Sequence, residues 1–350
     1  METHIVERLA DYINDGELDA EMIHVESEHS ALSAALGAEA TGVRSFTATA
    51  SQGLAYMWEV LYIVSGMRMP VVMAVANRAL SAPINIWNDH QDSIGARDSG
   101  WIQLYIESAQ EALDTIIMAY KIAENKKVLL PVMVCLDGFT LTHVYEPVDI
   151  PTQQQVDKFL PHYKPLYKLD SQKPLTMGPI SFPDTFMNFK KQQEEAMQNS
   201  IPIIKQVNKD FKTDFNRNYG NGMIETYKLN DAKYALLAMG SVCGTARVVV
   251  DELRGQGKKV GLIKLKCFRP FPERDLFLVT KKLKGIAVID KDISLGNNGA
   301  LFIETRNALY GSKIKITCSI AGLGGRDITP QHLKKAFQNI EKTEKTEWML

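Results

Sequence analysis

Two short segments of the chain, 70–76 and 128–136, are apolar throughout, and each lies between segments whose apolar residues follow helical spacing. A strand that is apolar on both faces has to be covered on both faces, as strands of parallel sheets are. Strands that alternate with helices indicate such a sheet with helices on either side. The sequence therefore predicts an α/β fold built on parallel sheets.

The alternation of helices and strands occurs in two blocks. In the first block we predict helices at 3–14, 31–40, 54–65 and 110–124 and strands at 45–50, 70–76 and 128–136, with a loop at 80–100. In the second we predict strands at 234–239, 260–265, 285–290 and 313–319 and helices at 244–256, 273–283, 298–309 and 331–340. Prolines between the blocks predict an extended arm from about 151, followed by a long polar helix at 186–211. We expect two domains, 1–226 with the arm and 227–350.

Composition narrows the class of protein. A formal net charge of −1 argues against a nucleic-acid surface or a polybasic membrane face. No stretch has the length and apolarity of a membrane span, and the first residues do not resemble a signal peptide. The four cysteines are far apart and form no Cys-x-x-Cys pair, so we expect no metal or iron–sulfur site in this chain. These features predict a cytoplasmic protein.

Three glycine-containing turns follow or adjoin predicted strands, at 239–245, 296–299 and 322–325. The first could bind an anion at the start of a helix. None has the lysine of a P-loop or the G-x-G-x-x-G spacing of a dinucleotide fold. We therefore predict that they are tight backbone turns.

Candidate site residues come from the first block. Glu28 opens an Ala-rich helix that is too apolar for a solvated surface helix, so its first turn is expected to face protein. The strand at 45–50 runs into the small polar turn Ser51, Gln52 and Gly53, and Arg78 ends the strand at 70–76. Sites in α/β folds lie beyond the carboxyl ends of parallel strands. The alternatives are a carboxylate that only complements the helix dipole and an arginine paired with an acidic neighbour.

An ordered set of motifs occurs along nearly the whole chain and includes the candidate site residues. The motifs are Val25–Ala31, Phe46–Gly53, Ala76–Ala79, Asn88–Asp92, Arg97–Trp101, Leu136–Phe139 and Ala321–Asp327. Together they resemble the α subunit of the 2-oxoacid:ferredoxin oxidoreductases, and most of all that of the pyruvate enzyme. The resemblance implies a thiamine diphosphate-binding domain of the pyrimidine type, followed by a domain similar to the transketolase C-terminal domain.

The resemblance also implies a chemistry. Glu28 matches the glutamate that faces the cofactor aminopyrimidine, where a desolvated carboxylate with a raised pKa suits proton transfer. Arg78 matches the arginine that faces the substrate carboxylate. Ser51, Gln52 and Gly53 lie where this domain approaches the cofactor. Asp89, His90 and Gln91 fall in an active-site loop, but a lone histidine is more often structural, and we do not expect His90 to be catalytic.

The partners follow from the same resemblance. A β subunit would supply the diphosphate and Mg²⁺ side of the shared cofactor, and γ and δ subunits would complete the complex. The 4Fe–4S clusters would lie in partner chains, which pass electrons to ferredoxin. The substrates would be pyruvate and coenzyme A, with no nucleic acid and no membrane as partner.

One departure from the family pattern concerns the start of the sequence. The family normally begins with a strand and a Tyr-Pro-Ile-Thr-Pro type loop, whereas Met1 to Glu7 corresponds to the helix after that loop. We therefore expect the front of the domain to be absent from the sequence. Three explanations stay open, a late recorded start, an incomplete fragment or an impaired copy. The alternative functions are a non-catalytic assembly subunit and the same chemistry on 2-oxoisovalerate, 2-oxoglutarate or oxalate.

Overall fold

The chain forms two β-sheets flanked by helices in a computed structural model that describes residues 3–342 and 346–350. The helices are α1 (Thr3–Asn14), α2 (Glu28–Ala40), α3 (Gln52–Tyr56), α4 (Trp58–Gly66), α5 (Gln91–Gly95), α6 (Ala109–Ala123), α7 (Gln153–Phe159), α8 (Pro183–Phe215), α9 (Val242–Gly255), α10 (Glu273–Thr280), α11 (Ala300–Ala308) and α12 (Pro330–Asn339). The strands are β1 (Phe46–Thr49), β2 (Val72–Asn77), β3 (Ile102–Tyr105), β4 (Val132–Asp137), β5 (Ile224–Tyr227), β6 (Tyr234–Ala238), β7 (Val260–Leu265), β8 (Cys267–Arg269), β9 (Gly285–Asp290), β10 (Lys315–Ile320) and β11 (Glu347–Trp348).

The first sheet has the strand order β1-β2-β4-β3-β8, and its first four strands are parallel. The apolar runs that predict β2 and β4 give strands in which every residue is buried. Alternate residues of β2 belong to two different cores, Met73 and Val75 to one and Val72 and Ala74 to the other. The sheet is thus covered on both faces, as a parallel sheet requires, and its carboxyl ends lie along one edge.

The second sheet has the order β11-β10-β9-β6-β7-β5 and is parallel except for β5. A single apolar core contains residues of both sheets, among them Val75, Tyr105 and Leu237. Charges also join the two sheets, because Glu111 on α6 accepts hydrogen bonds from Lys264 Nζ (2.6 Å) and Lys266 Nζ (2.7 Å). Burial alone would raise the pKa of Glu111, but the two ammonium groups lower it to about 2.

Six elements were not predicted from the sequence: α5, α7, β3, β5, β8 and β11. β8 follows β7 of the second sheet in the chain, yet it pairs antiparallel with β3 in the first sheet, with Leu104 opposite Cys267. β5 pairs with β7, so the second sheet already includes residues 224–227, before the expected boundary at 227. The two sheets therefore exchange chain segments instead of following each other strictly along the sequence.

The arm between the blocks has one short helix, α7, before the long helix α8. The predicted helix 186–211 is confirmed, and it starts earlier, at Pro183, where a proline fits the first turn. The buried residues of α8 begin at Ala196, whereas its first half is largely exposed. Leu169 of the arm donates its amide to the carbonyl of Ala40 at the end of α2 (2.7 Å). At these points the arm lies on its own domain.

Within the described residues, no helix combines the length and the apolarity that crossing a membrane demands.

Candidate active site

The turn after β1 holds Ser51 in an unusual backbone conformation, with φ 52° and ψ −120°. Ser51 is fully buried, its amide donates to Asp92 Oδ2 (3.0 Å) and its hydroxyl to the carbonyl of Ala79 (2.5 Å). Gln52 follows as the first residue of α3 and is exposed. A non-glycine residue keeps such a conformation only where its surroundings fix it. The turn is therefore held by contacts with the loop that follows β2.

Glu28 is brought to this turn by α2, whose first residue it is. A Cβ atom on Gly53 would lie 2.9 Å from Glu28 Cγ and 2.5 Å from Thr49 Oγ1, so only glycine fits beside the glutamate. The structure thus brings the predicted residues Glu28, Ser51, Gln52 and Gly53 together. The expectation that Glu28 faces protein is wrong for this chain alone. Its side chain is exposed, because α2 begins at the surface and Gly53 has no side chain to cover it.

Arg78 follows the last residue of β2 and is half-buried. Its amide donates to Asp92 Oδ2 (2.9 Å), the same oxygen that binds the Ser51 amide. Its Nε is buried without a hydrogen-bond partner, and among the described residues no carboxylate pairs with the guanidinium. A buried donor without an acceptor is costly. Since no described carboxylate pairs with the guanidinium, the alternative of an arginine neutralised by an acidic neighbour is not observed.

Buried polar atoms without partners are concentrated at this edge of the first sheet. Ten such side-chain atoms occur in the described part of the chain. Five of them lie at the ends of β1 and β2 or in the loop that follows β2, namely Thr49 Oγ1, Asn77 Oδ1, Arg78 Nε, Asn88 Oδ1 and His90 Nδ1. Because buried polar groups are normally satisfied by protein, water or ligand, this concentration makes the edge a candidate binding site. Thr49 was missed by the sequence analysis, although it is the last residue of a strand that leads into the turn.

His90 lies deeper, where the two sheets meet. Its Nε2 is 2.7 Å from Asp137 Oδ1, and Lys291 Nζ is 2.8 Å from Asp137 Oδ2. All three side chains are buried. Burial alone would raise the pKa of Asp137, but Lys291 and His90 hold it well below its usual range. The amide of His90 also donates to the carbonyl of Lys291 (2.8 Å), so His90 helps to join the first block to the residue after β9.

The three glycine turns are occupied by the chain's own groups. The amide of Ser241, in the first turn, donates to Asp137 Oδ2 (2.9 Å). Asp290 accepts from the amides of Leu301 (3.0 Å) and Phe302 (2.9 Å) at the start of α11, behind the second turn. Gly324, in the third, donates to Asp89 Oδ2 (3.1 Å). A carboxylate of this protein therefore fills the position that an anion would take, and two of these carboxylates come from the first block.

Metal ligands are not grouped in the described residues, where no three His, Cys, Asp or Glu side chains come close enough to hold an ion. All four cysteines are buried free thiols. Burial raises the pKa of Cys135, Cys243 and Cys267 above the ordinary range, which disfavours the thiolates that metals bind.

Comparison with known families and proteins gives consistent matches. The family model described as pyruvate flavodoxin/ferredoxin oxidoreductase, thiamine diphosphate-binding, matches residues 2–209, and pyruvate:ferredoxin oxidoreductase core domain II matches residues 232–333. Pyruvate synthase subunit PorA of Methanocaldococcus jannaschii is 58% identical over 98% of this chain and 88% of its own length. The subunit of the same name from Thermotoga maritima is 45% identical over 97% and 86%. Ketoisovalerate oxidoreductase subunit VorA of Pyrococcus horikoshii is 43% identical over 97% and 86%.

Two solved structures share the fold. A chain of the 2-oxoglutarate:ferredoxin oxidoreductase from Magnetococcus marinus matches with a TM-score of 0.71 and 18% identity, over 97% of this chain and 60% of its own length. An inactive split-gene transketolase tetramer matches with a TM-score of 0.51 and 10% identity, over 91% and 83%. At these identities the likeness concerns the fold alone. The predicted α/β architecture, with its thiamine diphosphate-binding and transketolase-like parts, is confirmed.

Proposed function

The chain belongs to the pyruvate:ferredoxin oxidoreductase family, and we propose that it is the α subunit of an enzyme that oxidatively decarboxylates pyruvate. Pyruvate and coenzyme A would yield acetyl-CoA and carbon dioxide, and two electrons would pass one at a time to ferredoxin. The observation that carries the proposal is Arg78, which has no ion pair within the described part of the chain and is connected through Asp92 to the turn that lies beside Glu28. Relatives at 45–58% identity that carry the name pyruvate synthase support the choice of substrate.

The residues at the turn fit the pyrimidine side of thiamine diphosphate. Gly53 lets the turn pack directly against Glu28, since a Cβ at this position would lie 2.9 Å from Glu28 Cγ. The exposed carboxylate of Glu28 is free to hydrogen-bond a ring nitrogen and to exchange a proton with it. When bound, thiamine diphosphate supplies the nucleophilic carbon and the electron sink that decarboxylation of a 2-oxoacid requires. A β subunit would hold the diphosphate and Mg²⁺ and cover Glu28.

Arg78 would bind the carboxylate of the 2-oxoacid. A guanidinium offers a planar fork of donors that matches a carboxylate in two contacts. The buried Nε of Arg78, which has no acceptor among the residues that the structure describes, supports a role in which the acceptor is the substrate. This contact would fix the direction from which the 2-oxo carbonyl meets the cofactor.

The electron path would lie in other chains. Within the described residues neither grouped metal ligands nor cysteines in contact with solvent are present, so 4Fe–4S clusters would be carried by partner subunits. We propose a cytoplasmic complex with β, γ and δ subunits that reduces ferredoxin.

The test is Glu28→Gln in the complex co-expressed with its partners, measured as pyruvate- and coenzyme A-dependent reduction of a viologen dye. The loss of an acid–base group predicts a fall in kcat of about 100-fold or more while the complex still assembles. Glu26→Gln is the matched control, because Glu26 is an exposed carboxylate two residues earlier that bonds Ser30. Full activity of Glu28→Gln would refute the role given to Glu28.

The second candidate function is the same reaction on a different 2-oxoacid. It is favoured by the 43% identity to a subunit named for ketoisovalerate. Ranking pyruvate, 2-oxoisovalerate, 2-oxoglutarate and oxalate by kcat/KM in the wild-type complex separates the two. A complex that assembles but oxidises none of them would instead support the non-catalytic assembly subunit.

A further inference from the structure

Asp92 accepts four hydrogen bonds although it lies in a loop helix, α5, and is almost completely buried. Its Oδ2 accepts from the amides of Ser51 (3.0 Å) and Arg78 (2.9 Å). Its Oδ1 accepts from Asn77 Nδ2 (2.7 Å) and from the amide of Ser93 (2.7 Å). One carboxylate therefore binds the backbone on both sides of the candidate site.

The two amides on Oδ2 lie just past the ends of neighbouring strands. The parallel pairing of β1 with β2 ends at Thr49 opposite Val75, so β1 and β2 are no longer joined to each other beyond these residues, although β2 stays paired with β4 up to Asn77. The Asp92 oxygen takes the place of that ladder at Ser51 and Arg78. The Ser51 hydroxyl adds a second bond across the same gap, to the carbonyl of Ala79.

We propose that Asp92 is the positioning residue that fixes the cofactor turn, Ser51–Gly53, and the substrate arginine, Arg78, at a set distance from each other. The proposal rests on the proposed function, since it assigns Asp92 to the site in which Glu28 and Arg78 act. Asp92 does not touch cofactor or substrate; it acts through the two backbone segments that do.

The chemistry of the four contacts requires a carboxylate. All four groups that contact the Asp92 carboxylate are hydrogen-bond donors. An asparagine at position 92 has one oxygen and one NH₂ group, so in either orientation its NH₂ group would face two of these donors. The positive φ of Ser51 adds to the requirement, because a serine leaves this conformation when the contacts that hold it are lost. Replacement of Asp92 is therefore expected to shift both segments and not only to lower stability.

The experiment compares Asp92→Asn with Asp89→Asn in the assembled complex. Asp89 is the matched control, since it is a buried aspartate of the same loop that also accepts two backbone amides, those of Gln91 and Gly324, but binds neither Ser51 nor Arg78. The measurements are Tm, the Kd of thiamine diphosphate by calorimetry on cofactor-stripped complex, and KM and kcat for pyruvate.

Both variants are expected to lower Tm. Only Asp92→Asn is expected to raise both the Kd of thiamine diphosphate and the KM of pyruvate, each by about tenfold or more, because misplacement of a site by about 1 Å has effects of this order. Equal changes in the two variants, or a fall in Tm with both constants unchanged in Asp92→Asn, would overturn the proposal.

Asp92→Glu covers the case in which Asp92→Asn does not assemble. It keeps the charge and the acceptors but moves the carboxylate by one methylene, so both constants should rise in the same direction, and unchanged constants would again contradict the proposal. Pyruvate oxidation by the wild-type complex is scored separately. Its absence would refute the proposed function, whereas the calorimetric comparison still tests Asp92.

Discussion

Lys291 Nζ lies 2.8 Å from Asp137 Oδ2, and this buried contact joins the residue after β9 to the end of β4. Lys291→Met is expected to leave the Asp137 carboxylate buried with its main counter-charge removed. Breaking a buried ion pair from one side costs about 3–5 kcal/mol. Chemical denaturation of the purified complex measures this as a fall in the free energy of unfolding.

The control is Lys334→Met, which breaks a partly exposed pair with Glu252 and should cost less than about 1 kcal/mol. Similar losses in both variants would contradict the role given to Lys291.

Gly53→Ala is expected to weaken the binding of thiamine diphosphate. The added Cβ would meet Thr49 Oγ1 at 2.5 Å and Glu28 Cγ at 2.9 Å, so Glu28 has to move. Calorimetric titration of the cofactor-stripped complex checks this. Gly37→Ala is the control, because Gly37 lies in the same helix as Glu28 with open space around it, and it should gain about 0.5–1 kcal/mol of stability and keep its affinity. Unchanged affinity in Gly53→Ala would argue against the contact as a part of the site.

Glu39 predicts a pH dependence of stability. Burial raises its pKa from 4.5 to about 7, although Ser45 donates its amide and hydroxyl to Glu39 Oε2. Between these two values the native state binds more protons than the unfolded state, so the free energy of unfolding falls as pH rises, and the penalty is complete above pH 7.

Glu39→Gln removes this titration. The stability of the variant relative to the wild type should therefore increase between pH 5.5 and 8, by on the order of 2 kcal/mol. Urea denaturation across this range measures the difference. A difference that stays constant with pH would mean that the carboxyl does not titrate there.

Much of the fold could be predicted because its central strands are apolar on both faces. β2, β4, β6, β7 and β9 lie within or close to the predicted ranges, and so do α1, α9 and α12. β3 and β8 were missed because they have four and three residues, too few for a periodicity, and because β8 gains its place only by pairing with a distant segment. The division at 227 stays a prediction.

The site could be predicted only in part. Motif order pointed to Glu28, to Arg78 and to the turn at 51–53, and the structure places Glu28 against that turn. The exposure of Glu28 could not be foreseen, because an apolar helix does not reveal whether its first turn is covered. The contacts of Asp92 could not be predicted either, because the segments that contain Ser51, Arg78 and Asp92 are distant in sequence and meet only in the fold, at Asp92 Oδ2.

The late position of β8 in the chain has a consequence for synthesis on the ribosome. The first sheet ends at β3 until residues 267–269 have been made, which is after β5, β6 and β7 of the other sheet. During that interval β3 presents an open edge, the kind of surface on which foreign strands pair. The nascent first half thus has an unpaired edge strand, β3. The time for which this edge is open to pairing with other strands depends on how quickly residues 267–269 are synthesised.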